Sequence, residues 1–247
     1  LDRAQGNYDD AKPLYERVVK IFEKALGPDH PLVATAINNF AKLLWAQGKY
    51  DEAKPLYGRA IAIGEKTLGP DHPNVATAVN NLALLLKAQG KYDEAKPLYE
   101  RAIKIDEKAL GPEHPGLAAA LTNLAGLLTG QGKYDEAKPL CERAIAIGEK
   151  TLGPEHLNLA TCLNNLANLL TAQGKHDEAK VLLERVVQIF EKALGPEHPN
   201  VARAISNLAN LLKSQGKYDE AKPLYERAIA ICEKTLGGQV RRGEAAL

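Results

Sequence analysis

Metal binding and acid–base catalysis commonly use histidines and closely spaced acidic residues, and this chain contains both. The histidines in question recur every 42 residues, at His30, His72, His114, His156 and His198, and acidic pairs such as Asp51-Glu52 recur at the same interval. Members of such a series are a whole repeat apart, so they cannot converge on one ion at the metal–nitrogen distance of about 2 Å. A catalytic pair would be singular and lie in a cleft. The sequence therefore predicts no enzyme, no metal site and no cofactor, and indicates that the histidines are helix-start residues.

The three cysteines form no recognisable framework. Cys141, Cys162 and Cys232 lie at unrelated places in their repeats, and none belongs to a CxxC pair. This usage is typical of free thiols in a reducing compartment, which favours a cytoplasmic protein.

Asparagines could instead do binding chemistry. One series recurs at Asn39, Asn81, Asn123, Asn165 and Asn207, and polar residues precede it at Asn38, Asn80, Thr122, Asn164 and Ser206. Asparagine inside a helix costs about half a kcal/mol relative to alanine, so its retention needs compensation. Because a primary amide both donates and accepts, it can clamp the backbone of an extended peptide. The alternative is a hydrogen bond to the adjoining repeat, and one residue could serve both roles.

Variable positions accompany this ladder on one helix face. They are Thr35, Thr77, Ala119, Thr161 and Arg203; Lys42, Leu84, Gly126, Asn168 and Asn210; and Trp45, Lys87, Thr129, Thr171 and Lys213. Such variation is expected of a ligand-reading surface and equally of a freely drifting solvated face. Lys42, Lys87, Arg203 and Lys213 would favour an acidic peptide. Trp45 lies either at the N-terminal end of the surface that carries the asparagines or against the first helix of the chain.

The elements that position these residues follow from the 42-residue period. In residues 71–112, Val75, Val79, Leu82 and Leu86 form a helical stripe that begins after Pro73 and ends before Gly90. A second helix follows Asp93-Glu94, and Pro97 lies in what is expected to be its opening turn. Neither helix buries its stripe alone, so the repeats must stack. The predicted fold is an all-α solenoid of antiparallel helix pairs.

The repeat boundaries divide the chain into five complete pairs with incomplete ends. The pairs are predicted at 29–70, 71–112, 113–154, 155–196 and 197–237. Residues 1–28 hold a truncated repeat with a second helix only, which leaves Val18, Val19, Ile21 and Phe22 without their own first helix. Residues 238–247 are expected to be a frayed tail. Uncapped ends of this kind predict end-to-end self-association.

Charge and hydropathy narrow the class of partner. The formal net charge is +1, so no overall field attracts nucleic acid or an anionic membrane. No apolar run approaches the roughly 20 residues that a membrane-spanning helix needs. A base-by-base RNA code is also disfavoured, because the helix face that carries the asparagines is rich in Asn, Thr and Leu. These features leave proteins or peptides as the expected partners.

The repeat resembles a known family. Asn81-Leu82-Ala83, Gly90, Tyr92, Ala95, Tyr99 and Ala102 are similar to the tetratricopeptide repeat, and the phrases QGKYDEAKPLYERA and LGPEHP resemble the lengthened repeats of kinesin light chain. Similar repeats occur in nephrocystin-type proteins and in sensor arrays of nucleotide-binding signalling proteins. The resemblance implies a right-handed superhelix whose first helices line a concave groove for extended peptides, with asparagines as clamps. It also leaves open a structural or regulatory sensor array of a larger multidomain protein. Thr35, Thr77 and Ala119 stand where a terminal-carboxylate clamp would need lysine.

Overall fold

The structure is a computed structural model that describes the backbone of residues 8–244 and the side chains of residues 11–235. The described residues form eleven α-helices and no strand. The helices are α1 (Tyr8–Leu26), α2 (Pro31–Ala46), α3 (Tyr50–Leu68), α4 (Pro73–Ala88), α5 (Tyr92–Leu110), α6 (Pro115–Gly130), α7 (Tyr134–Leu152), α8 (Leu157–Ala172), α9 (His176–Leu194), α10 (Pro199–Ser214) and α11 (Tyr218–Glu244). Each repeat consists of an even-numbered helix, called its first helix, and the odd-numbered helix that follows, called its second helix. The prediction of an all-α fold of repeated helix pairs is confirmed.

The helices belong to two compact units, Leu1–Leu127 and Leu128–Leu247. Helix α6 begins in the first unit and ends in the second. In the first unit, the core forms around Val33, Ile37, Val75 and Val79, each at most 1% exposed. In the second unit, Leu159, Leu163, Val201 and Ile205 occupy the equivalent places. Each core is shared between successive helix pairs, as the stacking argument requires.

A glycine turn reverses the chain inside each pair. Gly48 has φ +75°, and the next amide, Lys49 N–H, donates to Leu44 C=O at 2.9 Å. Gly48 N–H donates to Trp45 C=O at 3.0 Å, which completes a Schellman motif. The same turn recurs at Gly90, Gly132, Gly174 and Gly216. Because a left-handed residue is needed at one place in each turn, the pair closes with only three residues between helices.

Histidine begins each first helix. His30 Nδ1 accepts a hydrogen bond from Leu32 N–H at 3.2 Å, and Pro31 occupies the first helical position. The expectation that the histidines are helix-start residues is confirmed: His72, His114, His156 and His198 accept equivalent bonds. His156 does so before Leu157 rather than proline. The cap depends on the imidazole nitrogen rather than on the following residue.

Proline lies deeper in the second helices than expected. Pro97 is the sixth residue of α5, which begins at Tyr92, so it lies in the second turn and not in the opening one. The helix still runs on to Leu110. Proline removes one backbone donor, which leaves the Asp93 carbonyl without its helical partner. Asp93 is exposed, so water can satisfy that carbonyl and the helix continues.

The chain ends differ from the complete pairs. Val18 and Ile21 of α1 are 40% and 51% exposed, whereas Val19 and Phe22 pack partly against the core of the first unit. Helix α11 continues past Gly237 to Glu244, whereas a frayed tail had been expected from residue 238. Residues 245–247, and residues 1–7 of the expected truncated repeat, lie outside the described residues.

Candidate functional site

Asparagines join neighbouring first helices through side-chain hydrogen bonds. Asn81 on α4 donates from Nδ2 to Asn38 Oδ1 on α2 at 3.1 Å. One repeat later, Asn123 on α6 donates to Asn80 on α4 at 3.1 Å. In the second unit, Asn207 on α10 donates to Asn164 on α8 at 2.8 Å. The contact to the adjoining repeat, one of the two roles considered for this ladder, is therefore present.

Each of these amide pairs retains hydrogen-bonding capacity. Within the described part of the chain, the Asn38 side chain makes no hydrogen bond besides the one that its Oδ1 accepts, and the Asn81 side chain makes none besides the one that its Nδ2 donates. Asn38 Nδ2 and Asn81 Oδ1 are therefore not used within the protein. Both residues are half-buried. The same holds for Asn80 with Asn123 and for Asn164 with Asn207.

Two of the predicted polar neighbours interact with their own helix. The Thr122 hydroxyl donates to Ala118 C=O at 2.6 Å, and the Ser206 hydroxyl donates to Ala202 C=O at 2.9 Å. This back-bonding is the usual way for a hydroxyl to be satisfied inside a helix. These two positions therefore differ chemically from Asn38, Asn80 and Asn164.

A cavity of about 80 Å³ lies beside the first amide pair, between α2, α3 and α4. Three residues singled out from the sequence, Thr35, Asn38 and Thr77, line it together. Gly64 on α3 also lines the cavity, and a Cβ at this position would lie 2.9 Å from Val75 Cγ2. The remaining lining residues are Pro31, Ala34, Ala60, Leu68, Asn74 and Ala78. The structure thus brings part of the predicted groove surface around one recess.

A second hollow, of about 330 Å³, lies at the N-terminal end of the first unit. It is bordered by α1 and α2, and Asn39 and Thr35 reach its edge. Its lining is otherwise mainly apolar: Ala11, Leu14, Tyr15, Val18, Phe22, Leu32 and Ala36. Leu14 and Leu32 are 52% and 50% exposed. In later repeats the equivalent surface of the second helix is covered by its own first helix.

The predicted basic residues have different surroundings. Lys87 on α4 is half-buried, and that burial lowers the pKa of its ammonium group. It has no hydrogen-bond or ion-pair partner among the described residues. Lys42, Arg203 and Lys213 are exposed and equally unpaired within the described ranges. Lys87 is therefore the one of the four for which a bound anion would offset a desolvation cost.

The other predicted site residues do not gather around a common point. Trp45 packs half-buried against the cluster of Ala41, Leu44, Ala53, Tyr57 and Leu85, and its Nε1–H is buried without a partner. Asn210 is exposed and accepts a hydrogen bond from the Tyr225 hydroxyl at 2.6 Å. Asn168 is exposed, and Asn165 is half-buried.

Sequence reasoning missed one variable position on the second helices. It reads Phe22, Gly64, Asp106, Gly148, Phe190 and Cys232 at 42-residue steps. An isoleucine precedes and a glutamate follows each of these residues, so both flanking positions are constant. Gly64 lines the 80 Å³ cavity and Phe22 lines the N-terminal hollow. The missed signal was this change of chemical character between two constant positions.

Within the described residues, none of the three cysteines forms a disulfide; Cys141 and Cys162 are buried and Cys232 is exposed. Burial raises the pKa of the Cys141 thiol to about 12, with smaller contributions from Cys162 and Glu142. No group of three or more metal-ligating side chains is found in residues 11–235. None of the described helices has the length and apolar character needed to cross a membrane.

Comparisons with known proteins agree with this architecture. The family model of the tetratricopeptide repeat matches residues 1–66, 34–108, 75–137, 116–192 and 163–234. A search of curated proteins gave no match. Among solved structures, BtubC (BKLC) from P. vanneervenii is 21% identical, with a TM-score of 0.79 over 94% of each chain, which shows a shared fold.

Two further structures share more of the sequence. Both are of a Podosopora anserina protein assigned as a kinesin light chain, with nearly identical tetratricopeptide-like repeats. One, a single-substitution variant, is 34% identical over 84% of this chain and 98% of that chain, with a TM-score of 0.72. The other is 34% identical over 83% and 98%, with a TM-score of 0.70. The tetratricopeptide repeat is a general protein–protein interaction module, and this chain belongs to the tetratricopeptide repeat family, with repeats of the kinesin light chain type.

Proposed function

We propose that this chain binds an extended segment of a partner protein along its first helices and that the asparagine pairs hold the backbone of that segment. The observation that carries the proposal is the unused capacity of each pair, one amide NH₂ and one carbonyl oxygen, at Asn38 and Asn81. An extended peptide presents a C=O and an N–H at regular intervals, which complements one donor and one acceptor. The amide contact would then be independent of the ligand sequence.

The surroundings of the first pair add side-chain selectivity. The 80 Å³ cavity lined by Thr35, Gly64 and Thr77 has room for a small side chain of the bound segment. Lys87, half-buried and unpaired, lies on the same helix as Asn80 and Asn81 and would bind a carboxylate of the ligand. Arg203 and Lys213 would do the same in the second unit. On this basis the ligand carries at least one acidic residue.

Two further properties belong to the same proposal. The protein acts by binding and not by catalysis. It does so in the cytoplasm, where its three cysteine thiols stay reduced.

The N-terminal hollow, with Leu14, Val18 and Leu32 exposed, would let copies of the chain associate at high concentration. Sedimentation equilibrium across a hundredfold range of concentration checks this, and a constant monomer mass would contradict it.

A peptide-display selection tests the binding function. The counter-selection target is the triple variant Asn38→Asp, Asn80→Asp, Asn164→Asp. Each aspartate keeps an acceptor for the neighbouring asparagine but has no NH₂ to offer a ligand. The matched control, Ala62→Glu, Ala146→Glu, Gln188→Glu, adds the same charge at an exposed position of α3, α7 and α9. We expect peptides that bind the parent and the control but not the aspartate variant. Absence of any enriched peptide would overturn the proposed function.

A further inference from the structure

The variable position on the second helices is a glycine beside a cavity in one repeat and an aspartate in the next. Gly64 on α3 lines the recess between α2 and α4. Asp106 is the same position 42 residues later, on α5, and both residues lie in the first unit. By this repeat relationship, Asp106 faces the space between α4 and α6. The residues equivalent to the recess lining there are Thr77, Asn80, Gly116 and Ala119.

Asp106 carries a half-buried carboxylate whose one electrostatic neighbour among the described residues is the His114 imidazole. The Asp106 side chain makes no hydrogen bond and no salt bridge within the described part of the chain. Burial raises the pKa of its carboxyl, and the His114 imidazole opposes that rise in part. A charge removed from water without a partner destabilises the fold, so its presence needs a compensating interaction.

Other acidic residues on the same stretch of the second helices are paired. Glu65 on α3 pairs with Arg101 on α5, and Glu23 on α1 pairs with Arg59 at 2.7 Å. In the second unit, Glu149 pairs with Arg185 at 2.7 Å. These pairs tie successive second helices together. Asp106 belongs to none of these pairs, so the ladder does not explain its charge.

We infer that Asp106 selects a cationic side chain, lysine or arginine, in the segment bound by the first helices. The inference rests on the proposed function and specifies its ligand. The recess at Gly64 would take a small side chain, and the next repeat along the ligand would place its basic side chain beside Asp106. Lys87 lies about ten residues along α4 from Thr77, or roughly 15 Å at 1.5 Å per residue. The ligand therefore carries a basic and an acidic residue at separate places.

The test is a charge-swap cycle on one peptide selected by the parent chain. The peptide is prepared with its basic residue and with norleucine in its place, and both are titrated against the parent, Asp106→Asn and Asp106→Gly. Asparagine keeps the size of the side chain and removes the charge, while glycine recreates the residue found at Gly64. We expect the basic peptide to bind about tenfold more weakly to both variants at low salt, and the norleucine peptide to bind all three alike.

The possible outcomes distinguish a failure of the Asp106 inference from a failure of the proposed function. If selected peptides lack lysine and arginine, or if the loss is equal for both peptides, the Asp106 inference is wrong while groove binding stands. If no peptide is selected, both fail. A retained preference for the basic peptide in Asp106→Asn would also overturn the inference, because the preference would then come from another residue. Folding of each variant is checked by its helical circular dichroism.

Discussion

Asn81 and Asn38 lie in different repeats, on α4 and α2, and are joined by a 3.1 Å hydrogen bond from Nδ2 of the former to Oδ1 of the latter. This bond satisfies half of each amide and holds the other half in a fixed orientation. A side chain that is fixed before binding loses little conformational entropy when a ligand arrives. The same contact can therefore stabilise the stack of repeats and preorganise a binding surface.

The amide pair is expected to contribute to stability. Asn81→Ala should lower the free energy of unfolding by about 1 kcal/mol, because Asn38 Oδ1 loses its donor in a half-buried place. A double-mutant cycle with Asn38→Ala, followed by urea denaturation, measures the coupling between the two side chains. Additive effects of the two substitutions would show that the bond contributes nothing.

Glycine has opposite effects at two nearby places. Gly48→Ala should destabilise the chain by about 1 kcal/mol, because residue 48 has φ +75° in the turn between α2 and α3. Gly58→Ala is the control: residue 58 lies inside α3, is exposed, and a Cβ there would meet nothing within 4 Å. Removing that flexibility should stabilise the chain by about 0.5–1 kcal/mol. Chemical denaturation of both variants checks the signs, and equal effects would refute the turn assignment.

Asp106→Asn should stabilise the folded chain at neutral pH. Burial raises the pKa of this carboxyl above its ordinary value, so the ionised form is disfavoured in the folded state. The substitution removes that cost where Asp106 is ionised. As the pH falls and the carboxyl becomes protonated, the difference between parent and variant should shrink. Tm values of both proteins from pH 7 to pH 4 check this, and a variant less stable than the parent at pH 7 would contradict it.

Thiol reactivity should distinguish the three cysteines. Cys232 is exposed and should react rapidly with a maleimide at pH 7, whereas Cys141 and Cys162 are buried and should react only after unfolding. The pKa of Cys141, raised to about 12 by burial, keeps it protonated as well as inaccessible. Mass spectrometry after brief labelling should therefore show one adduct. Rapid labelling of two or three thiols in the native protein would be inconsistent with this core.

The helix pairs could be predicted because the same signals of helix start and helix end recur in every repeat. Gly90 in its turn and Pro73 at the start of α4 mark the helix ends directly. The position of Pro97 could not be fixed in the same way, because α5 starts at Tyr92 without a side-chain cap that would mark the helix start in the sequence. The sequence also carries no sign that α11 continues past Gly237, since glycine normally favours a helix end there.

Less of the candidate site than of the fold could be predicted from the sequence. Neighbouring residues such as Asn38 and Asn39 differ by about 100° around a helix, so only packing decides which one faces the next repeat. The structure places Asn38 beside the recess and Asn39 at the N-terminal hollow. Asp106 lies on a second helix, outside the first-helix face that carries the asparagine series, although its contrast with Gly64 is visible in the aligned repeats.

Isothermal titration calorimetry of one selected peptide measures whether the asparagine pairs hold a peptide backbone. The titrations use the parent, the triple variant Asn38→Asp, Asn80→Asp, Asn164→Asp, and the control Ala62→Glu, Ala146→Glu, Gln188→Glu. A version of the peptide with one backbone amide replaced by an ester removes a single N–H donor. We expect at least tenfold weaker binding to the aspartate variant, unchanged binding to the control, and weaker binding of the ester peptide to the parent. Equal affinity for the parent and the aspartate variant, with an ester peptide that binds as well as the amide, would contradict it.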